Sequence, residues 1–368
     1  MAELRVIVSG GGTGGHIFPA IAIADSIKAE YPDAAILFVG ANGKMEMEKV
    51  PAAGYQIKGL NIVGLQRRIT LKNLAVPFKL MASLKAAKQI VKEFNPDVAV
   101  GVGGYASGPL LKVASKHGVA TVLQEQNSYP GLTNKLLAKK AKKICVAYEN
   151  MDRFFPANKI VLTGNPVRKR VVDIQGKKDA AITAFGLDAK KDTLLVIGGS
   201  LGARTINMAI KAALPLFKKR DLQVLWQTGK TYSEDMKAAS SEFGYDGIHP
   251  QAFITSMDLA YSVADCIVSR AGAISISELC LIKKPVILVP SPNVSEDHQT
   301  KNAMALVDKK AAILVEDVAA VEELGTEIIR LFDDEEQQIE LSNNIAAMGK
   351  SNAADAIRNE IINLCRKD

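Results

Sequence analysis

The feature that most constrains this chain is a short pattern that occurs twice. Near the start, the apolar run at residues 4–9 (LRVIVS) leads into the glycine-rich turn GGGTGGH and a helical stretch over about residues 17–30. The pattern restarts where residues 193–197 (TLLVI) lead into GGSLGAR and a helix over residues 205–217. A buried strand, a glycine turn and an amphipathic helix open a βαβ unit, which implies parallel strands and right-handed crossovers. Further strand-like runs at residues 35–40, 98–102, 120–124, 143–147 and 160–163 alternate with helical stretches such as 77–94 and 131–140. After the restart, strands are expected at 222–227, 266–269, 285–289 and 312–315. The predicted fold is α/β, with two doubly wound parallel-sheet domains. The expected division is residues 1–167 plus 349–368 against 168–348, with the break near residues 163–172, where Asn165, Pro166 and a basic cluster interrupt the periodicity. A last helix at about 353–365 is expected to pack back on the first domain.

The length of 368 residues suits two such domains, and 48% hydrophobic with 23% charged residues excludes a disordered or low-complexity chain. The four cysteines (145, 266, 280 and 365) form no Cys-x-x-Cys pair, so neither a disulfide framework nor a zinc ribbon is indicated and a reducing compartment fits. No basic leader with an apolar stretch opens the chain and no apolar run of membrane-spanning length occurs, so neither export nor spanning is expected. Residues 1–150 carry 19 Lys/Arg against 10 Asp/Glu, while the remainder carries 27 against 29. An anionic partner is therefore expected for the N-terminal half.

Gly10, Gly12 and Gly15 satisfy G-x-G-x-x-G, but the second strand ends in Val39-Gly40-Ala41-Asn42, without the acidic residue that would hold a nicotinamide cofactor's ribose. A Walker A loop is absent, because none of the four Gly-Lys pairs has a glycine five residues before its own glycine. What glycines at a helix start do permit is close approach of backbone N–H groups to a phosphate. Three turns offer this, at residues 10–15, 101–104 and 198–202, each also readable as a simple tight turn; their common place at carboxyl ends of parallel strands favours a ligand.

His16 follows the first turn, in the first turn of a helix, where an imidazole could deprotonate a sugar hydroxyl or simply bond locally. Glu125, in LQEQNS, is a second candidate for acid–base or orienting work, or a polar loop residue. The four histidines are far apart in sequence and carboxylates show no paired ligand spacing, so no metal is expected; the run 333–336 (DDEE) reads as the acidic start of a helix. A departing pyrophosphate would then be offset by Ser200, Arg204 and the second-domain glycine turn with Arg168, unless Arg168 is only part of a solvated linker. Glu278, in SRAGAISISELC, sits where a carboxylate could grip two ribose hydroxyls, or on a solvent-facing helix side; DHQTKN offers His298 and Gln299 for sugar hydroxyls.

Residues 64–92 mix Leu65, Ile69, Leu71, Leu74, Val76, Phe78, Leu80, Met81 and Leu84 with Arg67, Arg68, Lys72, Lys79, Lys85, Lys88 and Lys92. This is the composition of an apolar patch with a basic rim lying on an anionic leaflet, although residues 82–91 also read as a core helix with a solvated lysine face. Nucleic acid is disfavoured, since aromatic residues other than Phe78 are lacking and no binding module is present.

GGGTGGHIFPAIAIA, GVGGYASGP, QEQNSYPGLTNK, TGNPVR, GGSLGAR, FITSM, SRAGAISISEL and DHQTKNA occur in the order found in the MurG family of peptidoglycan N-acetylglucosaminyltransferases, which the chain resembles over nearly its whole length. The resemblance implies a GT-B fold, two Rossmann-like domains around a cleft, the first binding acceptor and membrane and the second the UDP-sugar. It implies transfer of GlcNAc from UDP-GlcNAc to the MurNAc C4 hydroxyl of lipid I, the undecaprenyl-pyrophosphoryl-MurNAc-pentapeptide, with inversion and no cofactor. The product, lipid II, feeds peptidoglycan synthesis and so cell shape and division. The implied place is the cytoplasmic face of the cell membrane, peripherally. Carried over by motif, Thr13, Gly14 and Gly15 line the cleft near the sugar and Asn127 contacts the donor. Arg168 and Ser200 meet its diphosphate, and the main chain at Ile254 holds the uracil. Ala273, Ile274, Ser275, Ile276, Ser277 and Glu278 form the nucleotide turn with Glu278 on the ribose, and Gln299 binds GlcNAc hydroxyls. His16 is the suggested base with Glu125 nearby, and Gly11, Gly12, Gly103, Gly104 and Tyr105 are candidates for the acceptor diphosphate. Where many members place two glutamines, this chain has Gln299 then Thr300, which bears on the choice between GlcNAc and its C4 epimer; GlcNAc is expected. The alternatives are a transferase acting on another lipid acceptor, a UDP-GlcNAc epimerase, which would convert the donor alone, and a noncatalytic UDP-sugar-binding subunit.

Overall fold

The computed structural model describes residues 3–62, 76–199 and 201–365. The chain divides into two compact units, Met1–Val167 with Ser351–Asp368, and Arg168–Lys350.

The first unit runs β1 (Arg5–Gly10), α1 (Gly14–Glu30), β2 (Ala35–Ala41), α2 (Glu46–Ala52), β3 (Gln56–Leu60), α3 (Val76–Phe94), β4 (Val98–Gly103), α4 (Ser107–Lys116), β5 (Ala120–Glu125), α5 (Leu132–Leu137), β6 (Lys143–Val146) and β7 (Ile160–Leu162). Its seven strands are all parallel, in the order β3-β2-β1-β4-β5-β6-β7. Strands β1, β4 and β5 are continuous apolar runs because helices cover both faces of the sheet. One face packs Ile7, Leu37, Ala99 and Leu123 against α3 and α4; the other packs Val6, Val8, Val98, Val100 and Val122 against α1.

The second unit follows with α6 (Lys169–Val172), α7 (Lys178–Phe185), β8 (Thr193–Ile197), α8 (Arg204–Arg220), β9 (Gln223–Gln227), α9 (Ser233–Phe243), β10 (Ile248–Gln251), α10 (Met257–Val263) and β11 (Cys266–Ser269). It continues with α11 (Ala273–Ile282), β12 (Val286–Leu288), α12 (His298–Val307), β13 (Ile313–Leu314), α13 (Ala320–Asp333) and α14 (Glu335–Ala347). Its six parallel strands are ordered β10-β9-β8-β11-β12-β13, again with an apolar core on each face. The acidic run is the start of α14: the Asp334 carboxylate accepts the Gln337 N–H at 2.9 Å, with Glu335 and Glu336 in the first turn.

The chain returns to the first unit as α15 (Ala353–Cys365). Ile357 and Ile361 join the core that holds Ile17, Ile21, Ile23 and Ile27 of α1. The Ser26 hydroxyl donates to Asp355 at 2.7 Å, and Arg358 bridges Asp355 and Glu30. This corrects the amphipathic reading of α1: nine of its residues from Ile17 to Ile27 are buried, because it lies between the sheet and α15. It also starts at Gly14, earlier than its apolar run. The edge strands β3 and β10 were not read from sequence. In β3 exposed Gln56 and Lys58 alternate with half-buried Ile57 and Gly59 before buried Leu60, and β10 contains Pro250, which an edge tolerates.

Candidate active site

In each sheet the strand order reverses once, and an open parallel sheet binds its ligand beyond the carboxyl ends of the strands at that point. In the first unit the reversal lies between β1 and β4, which places the turns at residues 10–15 and 101–104 side by side. They touch: Gly11 N–H donates to Gly103 O at 3.3 Å, and a methyl group on Gly104 would collide with the Gly11 backbone. Thr13 caps α1 in extended conformation, and Gly14, Gly15 and His16 form its first turn. The His16 ring folds back on the loop, with Nδ1 3.0 Å from Gly11 O and 3.3 Å from Thr13 Oγ1. A carbonyl oxygen only accepts, so this contact is a hydrogen bond in the tautomer with the proton on Nδ1, which leaves Nε2 as the basic nitrogen. The ring rests on Gly103 at φ +100°, where a side chain would stand 2.7 Å from His16 Cδ2. Gly103 is thus required both by its backbone and by the imidazole it supports.

Glu125 ends β5 and is buried. Its Oε1 accepts from the Asn127 N–H (3.0 Å) and side-chain amide (3.2 Å), and its Oε2 from Gly131 N–H (3.1 Å) and Asn134 Nδ2 (2.8 Å). Burial pushes the carboxyl up while all four donors pull it down. This arrangement shapes the loop between β5 and α5, including Asn127, which is the geometry of orienting work. Tyr105, after the second turn, is exposed.

One group at the first turn was missed. Glu46, the first residue of α2, is fully buried, with Oε2 accepting Gly12 N–H and Oε1 accepting Ala41 N–H, both at 2.9 Å. With Gly11 donating to Gly103, the two N–H groups proposed for an acceptor diphosphate at Gly11 and Gly12 already have partners within the chain. The sequence signal for Glu46 was surplus glycine: a side chain at Gly11 or Gly40 would run into its carboxylate arm.

In the second unit the reversal lies between β8 and β11, beyond Ile197 and Ser269. Arg270 ties this end together by donating to Val289 O (3.0 Å) and Pro290 O (3.1 Å) and pairing with Asp317, which also accepts from Thr205 of α8 at 2.9 Å. Gly272 precedes α11, whose first residues are Ala273, Ile274, Ser275, Ile276 and Ser277, with the Ser277 hydroxyl donating to Ala273 O. Glu278 is half-buried rather than fully solvent-facing. Tyr261 OH donates to it at 3.1 Å; burial pushes its carboxyl up, against this bond and the charge of Arg168, which pull it down. Arg168, half-buried at the start of α6, is therefore electrostatically coupled to Glu278 rather than a wholly solvated linker residue. Ile254, whose main chain is expected to meet a uracil, is buried, and its N–H donates to Gln227 Oε1 at 2.9 Å.

The models for glycosyltransferase family 28 match this chain, the N-terminal domain over residues 6–146 and the C-terminal domain over 193–357. A Cytophaga hutchinsonii protein named UDP-N-acetylglucosamine--N-acetylmuramyl-(pentapeptide) pyrophosphoryl-undecaprenol N-acetylglucosamine transferase is 57% identical over 366 residues, covering 99% of this chain and 98% of its own length. One of the same name from Parabacteroides distasonis is 54% identical over 367 residues, covering 100% of both. The chain belongs to the MurG family. A crystal structure of Acinetobacter baumannii MurG is 26% identical, covers 98% of this chain and 99% of that one, and superposes with a TM-score of 0.80. The fold is GT-B, and the chain is a glycosyltransferase.

Of the residues marked by likeness to the MurG family, Thr13, Gly14, Gly15, His16, Gly103 and Gly104 gather at the first switch point, while Arg168 and Glu278 are coupled in the second unit. Ser200 lies outside the described residues, as do residues 63–75 of the apolar basic stretch. Gln299 is the second residue of α12, with its Oε1 accepting Ser291 N–H at 2.8 Å. Thr300, in place of the second MurG glutamine, donates to Asp297 Oδ1 at 2.7 Å and so closes the start of α12. That turn is strained, with Glu296 and Asp297 at φ +55° and +53°. Gln227 and Tyr261, the partners of Ile254 and Glu278, were not read from sequence. Among the described residues no group of three or more His, Cys, Asp or Glu side chains is placed to hold a metal ion, and no helix is long and apolar enough to cross a membrane.

Proposed function

We propose that this chain transfers GlcNAc from UDP-GlcNAc to the MurNAc C4 hydroxyl of lipid I, giving lipid II and UDP, by one in-line displacement that inverts the anomeric centre. The near-full-length likeness to transferases of that name supports the substrates and product. The observation that carries the mechanism is the His16 ring, fixed by Gly11 O so that Nε2 can take a proton at the switch point of the first sheet. The acceptor oxygen forms the new bond to C1 as the bond from C1 to the diphosphate oxygen breaks, and the hydroxyl proton passes to His16 Nε2. Base catalysis of this kind supplies roughly 10²- to 10⁴-fold. Glu125 holds Asn127 toward the donor. Glu278 grips the ribose, Gln299 the GlcNAc hydroxyls, and Arg168 with the Gly198–Gly202 turn takes the charge of the leaving UDP without a metal. The N-terminal end of α4, with Gly103, Gly104 and Tyr105, receives the acceptor diphosphate.

The reaction takes place on the cytoplasmic face of the membrane. Exposed Leu80 and Met81, beside Lys79 on α3, form the described part of a basic apolar patch suited to an anionic leaflet, while Ala87, Ile90 and Val91 of the same helix are core and Lys85, Lys88 and Lys92 are solvated.

The test is UDP release from UDP-GlcNAc in EDTA, with and without a lipid I analogue, with mass identification of the product. UDP and a disaccharide lipid formed only with acceptor support the reading. Conversion of donor alone would point to an epimerase, and binding without turnover to a noncatalytic subunit or another acceptor.

A further inference from the structure

The peptide bond between Gly11 and Gly12 is held from both ends. On one side its N–H, that of Gly12, donates to Glu46 Oε2 at 2.9 Å; on the other its C=O, that of Gly11, accepts from His16 Nδ1 at 3.0 Å. Both oxygens of Glu46 accept backbone N–H groups, as an ionised carboxylate does, and the side chain is fully buried. A buried carboxylate is costly unless its environment is built for it, and here the building is visible. Gly11 and Gly40 leave the space that the Glu46 arm fills, and β2 ends so that Ala41 N–H meets the second oxygen.

We infer that Glu46 is a positioning residue for His16, acting through the Gly11–Gly12 peptide. This rests on His16 being the proton acceptor. A carboxylate hydrogen-bonded to the N–H of an amide polarises that amide, so its carbonyl becomes a stronger acceptor for the imidazole Nδ1–H. Two consequences follow. The neutral ring is locked as the Nδ1–H tautomer with its lone pair on Nε2, and the imidazolium formed when the acceptor proton arrives is stabilised by a negative charge one peptide away. The peptide thus does for Glu46 and His16 what direct contact does in a carboxylate–histidine pair, while keeping the carboxylate out of reach of the anionic substrates. Thr13 from its own loop and Gly103 from the β4–α4 turn also border the ring. Tyr105 follows that turn, and Glu125 ends the neighbouring strand β5.

The test is Glu46→Gln, alone and with His16→Ala, in the full chain with UDP-GlcNAc and a lipid I analogue. Expected are a kcat lowered roughly 10- to 100-fold, the worth of a hydrogen bond to a charged group, with KM for the donor within about twofold. The base must be unprotonated to act, and losing the negative charge makes His16 less basic. The acid limb of the kcat–pH profile should therefore move to lower pH, by at least about half a unit. Glu46→Gln should add nothing to His16→Ala. A lowered kcat with an unmoved acid limb would reduce Glu46 to a packing role and overturn the inference. Full turnover of His16→Ala would overturn the base assignment itself, whereas an inactive His16→Ala beside a wild-type profile for Glu46→Gln would remove Glu46 alone. Should Glu46→Gln not fold, NMR of isotope-labelled histidine in the unaltered protein decides: neutral His16 as the Nδ1–H tautomer supports the inference, and the Nε2–H tautomer refutes it.

Discussion

Replacing Glu125 by glutamine should weaken the fold of the first unit rather than remove a proton acceptor. The carboxylate takes four N–H donors, two on each oxygen, and glutamine offers a single oxygen. With that oxygen kept toward Asn127, the new NH2 group faces Gly131 N–H and the Asn134 amide. Asn134 can turn over, because its Oδ1 is buried without a partner and could accept from the new donor, but it then gives up its 3.2 Å bond to Gln124 O. Gly131 N–H is left unsatisfied at about 1–3 kcal/mol, and the surviving bonds lose about 1 kcal/mol each of charge assistance. Burial already pushes the Glu125 carboxyl up, so a neutral side chain recovers part of this through easier desolvation. The balance is about 2–3 kcal/mol, or roughly 4–12 °C in melting temperature for a unit of this size. Urea unfolding offers a clean assay. The single tryptophan, Trp226, lies in the second unit, so its fluorescence should hold its midpoint while circular dichroism shows an earlier transition from the first. An unchanged unfolding curve together with lost turnover and a missing acid limb would make Glu125 the base and refute this reasoning.

Tyr261→Phe removes the hydrogen bond that lowers the Glu278 carboxyl, so that group should titrate still higher; if ribose binding needs the ionised form, donor affinity falls about 2- to 10-fold and is lost earlier as pH falls. Calorimetry with UDP-GlcNAc across about pH 5 to 8 checks this, and an unmoved titration would contradict it. Gly103→Ala forces a side chain to φ +100° and onto His16 Cδ2, and should cost about 1–3 kcal/mol of stability with at least tenfold in kcat; wild-type turnover would show the ring placement to be unimportant. Leu80→Glu with Met81→Glu should lower sedimentation with anionic vesicles and leave turnover of a soluble acceptor intact, and unchanged sedimentation would dismiss the patch.

Apolar runs placed the central strands within a residue or two, since β1, β4, β5, β8 and β11 are buried on both faces and carry a continuous signal. Edge strands β3 and β10 escaped because half their residues face solvent or interrupt the pattern. Turn glycines were legible as a class, yet their pairing at residues 11 and 103 depends on strand order, which no local pattern states. The same holds for Glu46, Gln227 and Tyr261. Each touches a marked residue through a contact spanning 17 to 34 positions, and apart from the glycines at 11 and 40 that leave room for Glu46, nothing distinguishes them from ordinary polar residues. The amphipathic reading of α1 failed for a similar reason, since its second cover comes from the far end of the chain.

That far end sets an order of events during synthesis. The Ser26–Asp355 bond closes a separation of 329 residues, and Ile357 and Ile361 complete an apolar layer begun by Ile17. Until α15 leaves the ribosome, one side of α1 lacks its cover, although the strands beneath it are available far sooner. The first unit is therefore begun before the second unit and completed after it, and a nascent chain released before α15 exposes a sticky isoleucine surface for chaperones or proteases to find.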